Sequence, residues 1–302
     1  MPILTPEQTR DPSYIFEHAR PFIETFGDDL HLGSIDPIRE PLAFAERAVL
    51  LNPRHPDSVF NTSEGGGGSS ASYVDRYAQA DNGLPNWAAR HEDVIYAVAD
   101  PLGIRDREIG STIQHTLEPG RYDVGLVLEG ANKQNTTRGF AMAEAIRRGD
   151  IQVGQVAVAV TSRAVGPKEG HGNIAVGYGV GGEAVAAMAD EYPDVFNGKP
   201  GGVRLGMVDI RTHKSNAAET VTEAALRLGA GSVAMTGSNI YGSWMRIDME
   251  RAAHTVGLEK VTFGAGSDDP KAARTPRIWA AEVAQTLVSA AMLQNSYLTK
   301  AR

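Results

Sequence analysis

DVGLVLEG at 123–130 is the first of five short apolar runs, followed by QVAVAVTS at 155–162, VRLGMVDI at 203–210, SVAMTGS at 232–238 and KVTFGAG at 260–266. Between one run and the next stands a turn rich in Gly, Ser or Thr and then a helix-like segment. Continuous apolar runs of strand length read as strands buried on both faces, and their alternation with helices predicts a mainly parallel sheet with crossover connections. Ligands of such sheets collect beyond the carboxyl ends of the strands. The turns after the strands are therefore the places to read for function.

Outward from these runs, Asn135 or Thr136 is expected to cap a helix ending near Gly149. Further helices are expected over 181–192, 217–228 and 243–256. A long closing helix over 276–293 has Pro276 in its first turn, where a missing N–H costs nothing. Residues 1–120 read differently. Apolar residues at three- and four-residue spacing over 14–26 and 37–51 suit amphipathic helices, with a third over 87–98. This gives a helical N-terminal region, a lid or an oligomer interface, ahead of an α/β domain over 121–302. The segment NTSEGGGGSS at 61–70 reads as a linker, a lid or a phosphate-cradling turn. The apolar strand that precedes a phosphate loop is missing from DSVFNTSE, which favours the linker.

At 302 residues the chain can bury a full core, and 42% apolar with 22% charged residues is ordinary for a globular protein. A formal net charge of −8 argues against nonspecific binding to nucleic acid or an anionic membrane, both of which need a cationic surface. Zero cysteines exclude disulfides, thiolate nucleophiles and Cys-ligated metal clusters. No apolar stretch reaches the roughly 20 residues that span a bilayer, and no basic-then-apolar leader opens the sequence, so the expectation is a cytoplasmic protein.

Four of the turns carry hydroxyl or amide groups followed by a cation. They are Asn135, Thr136, Thr137 and Arg138; Thr161, Ser162 and Arg163; Thr212, His213, Lys214 and Ser215; and Thr236, Ser238 and Asn239 with Arg246 beyond. Each is also a set of helix caps. Together on one sheet edge they suit an anion, because helix amino ends offer N–H groups and a guanidinium pairs with phosphate or carboxylate through two bonds. Glu129 ends an apolar strand, where an acid must be paired or functional. Glu183 begins a helix, and Glu219 and Glu223 share one face of the next. The run Gly177-Tyr-Gly179-Val-Gly181-Gly182 matches G-x-G-x-x-G, with Asp209 as the acid of the following strand. That spacing of 32 residues exceeds the usual separation of about 20, so a tight turn or flap competes with dinucleotide binding. Eight scattered histidines include no H-E-x-x-H, and no Walker loop or G-x-S-x-G elbow occurs, so no metal site is assigned.

In the order of these pieces, 122–266 resembles the ElyC/SanA/YdcF-like family of bacterial α/β domains. The resemblance is carried by Val127-Leu128-Glu129-Gly130 with Arg138, by Thr161-Ser162 and then Glu183-Ala184, by Glu219-Thr220-Val221-Thr222-Glu223, and by Met235-Thr236-Gly237-Ser238 with Arg246. Glu129 stands where the family has Gly, and the His usual shortly after the fourth strand is absent. The resemblance implies a Rossmann-like three-layer sandwich and a nucleotide-like or S-adenosylmethionine-like ligand. The resulting expectation is an enzyme, a transferase or hydrolase, with Glu129 or Glu183 as acid or base. Gly130, Thr137, Arg138, Thr161, Ser162, Arg163, Glu223, Thr236, Gly237, Ser238 and Arg246 would line its anion site. Two rival readings are an NAD(P)-dependent oxidoreductase using Gly177 to Gly182, and a non-enzymatic scaffold that forms homo-oligomers through its N-terminal helices.

Overall fold

The structure, a computed structural model, describes residues 4–53, 55, 57–61, 90–106, 111–112, 115–128, 134–161, 178–199, 202–210, 217–238, 242–267 and 276–301. The described residues of Met1–Ile113 and Asp269–Arg302 form one compact unit, and those of Gln114–Lys168 and Asn173–Asp268 form a second.

The first unit is helical. It contains α1 (Pro6–Thr9), α2 (Pro12–His18), α3 (Arg20–Phe26), α4 (Pro41–Ala48) and α5 (Glu92–Ala99), and a short antiparallel pair, β1 (Arg105–Asp106) with β2 (Ser111–Thr112). Prolines decide several boundaries here. The amphipathic stretch 14–26 is two helices because Pro21, in the first turn of α3, cannot continue the ladder of α2, and Pro41 likewise fixes the start of α4. The closing helix, α10 (Pro276–Lys300), packs on α2, α4 and α5. It therefore belongs to the N-terminal helices, although its place in the sequence groups it with the strands. Trp279, Leu287 and Leu293 of α10 are buried, and Arg105 lies 3.6 Å from the Tyr96 ring centre and 4.8 Å from that of Trp279.

The second unit is the α/β domain. Five strands, β3 (Gly120–Val127), β4 (Ile151–Thr161), β5 (Arg204–Ile210), β6 (Ser232–Ser238) and β7 (Lys260–Ser267), make a fully parallel sheet in the order β5-β4-β3-β6-β7. They are joined by α6 (Gln134–Arg147), α7 (Tyr178–Glu191), α8 (Ala217–Leu228) and α9 (Gly242–Val256). Alternate residues of the strands face opposite helix layers, as a period of two requires. Leu126, Ala157, Ala159, Val233, Met235 and Phe263 pack with α8 and α9. Val127, Val156, Val158, Val160 and Ala234 pack with Met142 of α6 and with Ala184 and Met188 of α7. This is a three-layer Rossmann-like sandwich. The Gly-rich match lies differently from a dinucleotide loop: Gly179, Gly181 and Gly182 are inside α7, and Gly181 lets that helix press on Val160.

One outer edge of the sheet is covered by its own chain. Residues 115–118 run beside β7, with Ala265 N donating to His115 O (2.7 Å) and Glu118 N donating to Thr262 Oγ1 (2.8 Å). Such cover removes a free strand edge. Among the described residues no helix is long and apolar enough to cross a membrane.

Candidate functional site

Strand order locates the site. From β3 the chain crosses to β4 and β5 on one side, then returns to β6 and β7 on the other. The connections that leave the central neighbours β3 and β6 therefore run to opposite sides, and this switch point is where open α/β sheets hold ligands. Leu128, just past β3, donates its N–H to Thr236 O of β6 (2.9 Å). The guanidinium of Arg138, in the second turn of α6, donates to Leu128 O (2.9 Å), and the Thr236 hydroxyl donates to Arg138 O (2.9 Å). Two strands and a helix are thereby tied in one buried polar knot, with Arg138 3% and Thr236 1% exposed.

A bulge explains how α6 reaches this position. Gly237 pairs with Ala265 but Ser238 pairs with Ser267, leaving Gly266 as an extra residue in β7. A Cβ on Gly266 would stand 2.5 Å from Arg138 Cα, so only glycine lets the start of α6 descend on the strand end. Gly237 serves the other face, where a Cβ would meet the Phe263 ring at 2.7 Å. Ser238, 4% exposed, ends β6 beside these groups.

On the opposite layer, Arg246 lies in the second turn of α9. It donates to Thr116 O (3.2 Å) and Phe263 O (3.5 Å), joining α9 to β7 and to the segment covering it. Burial lowers its pKa first, and Glu118 and Glu250 work against that by favouring the charge. Guanidinium stays protonated throughout. His115, 3% exposed, packs its ring edge on Gly242, the first residue of α9, so closely that a Cβ there has no room. Burial first, and the Arg246 charge second, push its pKa down to about 3, so the imidazole is neutral near pH 7.

The structure thus gathers Arg138, Thr236, Gly237 and Ser238 at the ends of β3 and β6, while Arg246 bonds to the middle of β7, at Phe263 O, and to Thr116 O of the segment beside it. Thr137 is exposed next to Arg138, and Thr161 is the last residue of β4. Glu183 is exposed in the second turn of α7, and Glu223 pairs with Arg227 at 2.7 Å on α8. Asn135 and Thr136 lie within α6, which begins at Gln134, instead of capping it. Glu129, Gly130, Ser162, Arg163, Gly177 and the 61–70 glycine segment beyond Asn61 lie outside the described residues, as do Thr212 to Ser215 and Asn239. Nothing in QHTLEPG marks His115 in the sequence: its buried seat is made by Gly242 and Phe263, well over a hundred residues away. Among the described residues no group of three or more His, Cys, Asp or Glu could hold a metal ion.

No family model, curated protein or solved structure matches this chain. Its functional reading rests on the switch point itself.

Proposed function

We propose that the chain is an enzyme that binds an anionic small molecule, nucleotide-like or S-adenosylmethionine-like, across the carboxyl edge of its parallel sheet, for a transferase or hydrolase reaction. The observation that carries this reading is a buried cation, Arg138, held by the strand-end carbonyl of Leu128 at the topological switch point. Arg138 holds the strand-end carbonyl of Leu128 and supplies positive potential beside it. Arg246, less buried and on the facing layer, is the cation for the ligand itself, with Arg163 as its companion. Ser238, Thr161 and Ser162 supply hydrogen bonds, and Glu129, next in sequence after Leu128, supplies the acid or base. The likeness of 122–266 to the ElyC/SanA/YdcF-like pattern supports the same ligand class.

A thermal-shift panel of adenine nucleotides, S-adenosylmethionine, NAD and sugar phosphates tests this, because a ligand of the native state raises apparent stability by mass action. The reading expects an adenosyl or phosphate compound to raise the melting temperature of the wild type and not that of Arg246→Ala. Silence across the panel, or a shift indifferent to Arg246, would count against it.

A further inference from the structure

We propose that Tyr96, Trp279 and Asp100 of the helical unit form a second binding site, independent of the sheet edge. It takes a small guanidino compound, which displaces the chain's own Arg105. Tyr96 of α5 and Trp279 of α10 make a corner of two rings, 5.0 Å apart and inclined at 72°. The Arg105 guanidinium lies in that corner, 3.6 Å from the Tyr96 ring centre and 4.8 Å from that of Trp279. Asp100, just past α5, supplies a countercharge at 3.7 Å. The Tyr96 hydroxyl donates to the Glu92 carboxylate, which enriches the ring in electron density and brings a second acid to the rim.

Two aromatic rings beside a carboxylate are the means by which proteins hold organic cations. The present occupant is a guanidinium, so the shape and charge of the corner suit that group. Arg105 nevertheless fills it poorly. A separation of 3.7 Å from Asp100 exceeds hydrogen-bond length, and Arg105 Nε is buried with no hydrogen-bond partner among the described residues. A buried donor left unmatched is costly. The cause is the tether: Arg105 enters the corner from the two-residue strand β1, where its backbone is paired with Thr112, and its stem dictates where the guanidinium plane lies. A free guanidinium keeps the same contact with the rings and turns in its plane to place two N–H groups on Asp100, the paired geometry this group prefers with carboxylates. Access needs no helix movement. The Arg105 side chain is 14% exposed, so the slot borders solvent at the residue that vacates it. Trp279 Nε1 has no hydrogen-bond partner among the described residues, and its proton is therefore a reporter of what occupies the corner.

The test is proton–nitrogen NMR of the full chain titrated with methylguanidinium chloride, with sodium chloride at equal ionic strength as the blank. The indole N–H of Trp279 is expected to move at millimolar methylguanidinium, and that of Trp244, in the α/β domain, to stay where it is. Arg105→Ala empties the corner and is expected to bind about tenfold more tightly, the ratio set by a competitor that fills the site about nine-tenths of the time. Tyr96→Leu removes one ring face and is expected to lose the Trp279 response. A Trp279 resonance unmoved in the wild type would overturn the inference, because the corner would then be closed on Arg105. Equal affinity in the wild type and Arg105→Ala would overturn it as well, because Arg105 would then not compete. Arg105→Gln, which keeps the stem and lacks the charge, makes the same comparison if Arg105→Ala does not fold.

Discussion

The two edges of one sheet use polar residues in opposite ways. At the amino edge, Asp123 is exposed and its carboxylate accepts from Gly231 N (2.8 Å) and Ser232 N (3.0 Å), while Ser232 Oγ accepts from Asp123 N (2.9 Å). These are turn-closing bonds between neighbours that water could replace. At the carboxyl edge, Arg138, Thr236, Ser238 and His115 are all less than 5% exposed, and a guanidinium is held by a strand-end carbonyl. Burying such groups is costly unless each is bonded. The carboxyl edge thus buries a guanidinium, two hydroxyls and an imidazole, where the amino edge keeps Asp123 exposed.

That contrast is broken most forcefully by Arg138→Ala. It removes a buried charged donor, leaves Leu128 O without that bond and opens a void beside Gly266. A loss of roughly 3 kcal/mol in urea unfolding is expected. Gly242→Ala comes next, because its methyl collides with the His115 ring. Overpacking of this kind costs about 2 kcal/mol in urea unfolding.

The third test sharpens the contrast through pH. The folded-state pKa of His115 is lowered to about 3 from an ordinary 6.5, so below pH 6.5 the unfolded chain binds the extra proton. The stability this residue contributes is complete above pH 6.5 and is lost as the pH falls toward 3. Wild type should therefore lose about 2 kcal/mol more than His115→Asn between pH 6.5 and pH 5, measured by denaturant unfolding at each pH. At the amino edge, Asp123→Ala should cost about 1 kcal/mol and leave ligand shifts unchanged. Glu223→Ala, which frees Arg227 at the surface of α8, should cost about 0.5 kcal/mol or less. An Asp123 variant that lost ligand binding would erase the distinction between the edges.

Much of this architecture is legible in the sequence because a parallel strand buried on both faces is a continuous apolar run. QVAVAVTS and SVAMTGS are unmistakable in this respect, and β6 begins and ends where its pattern does. Boundaries were harder where polar residues join the ladder. Gly120, Arg121 and Tyr122 begin β3 ahead of its apolar run, because Gly120 to Tyr122 pair with Ile151 to Val153 at an end of the sheet where exposure permits charge. The company of α10 was hidden for a different reason. A helix apolar on most of its faces states that it is buried, not which layer buries it. At the site, Arg138 and Arg246 are visible as cations after strand ends, since that pairing is local. The bulge at Gly266, the bond from Arg138 to Leu128 and the seat of His115 on Gly242 are tertiary contacts between distant segments, and no local pattern encodes them.

Amide chemical-shift mapping of the full chain during titration with adenosine monophosphate tests the central claim most directly. The account predicts that perturbed amides cluster at Leu128, Ser238, Gly242 to Arg246 and the start of α6, with Asp123, Gly231 and Ser232 unmoved. Perturbations centred on the amino edge, or none at saturating nucleotide, would contradict it.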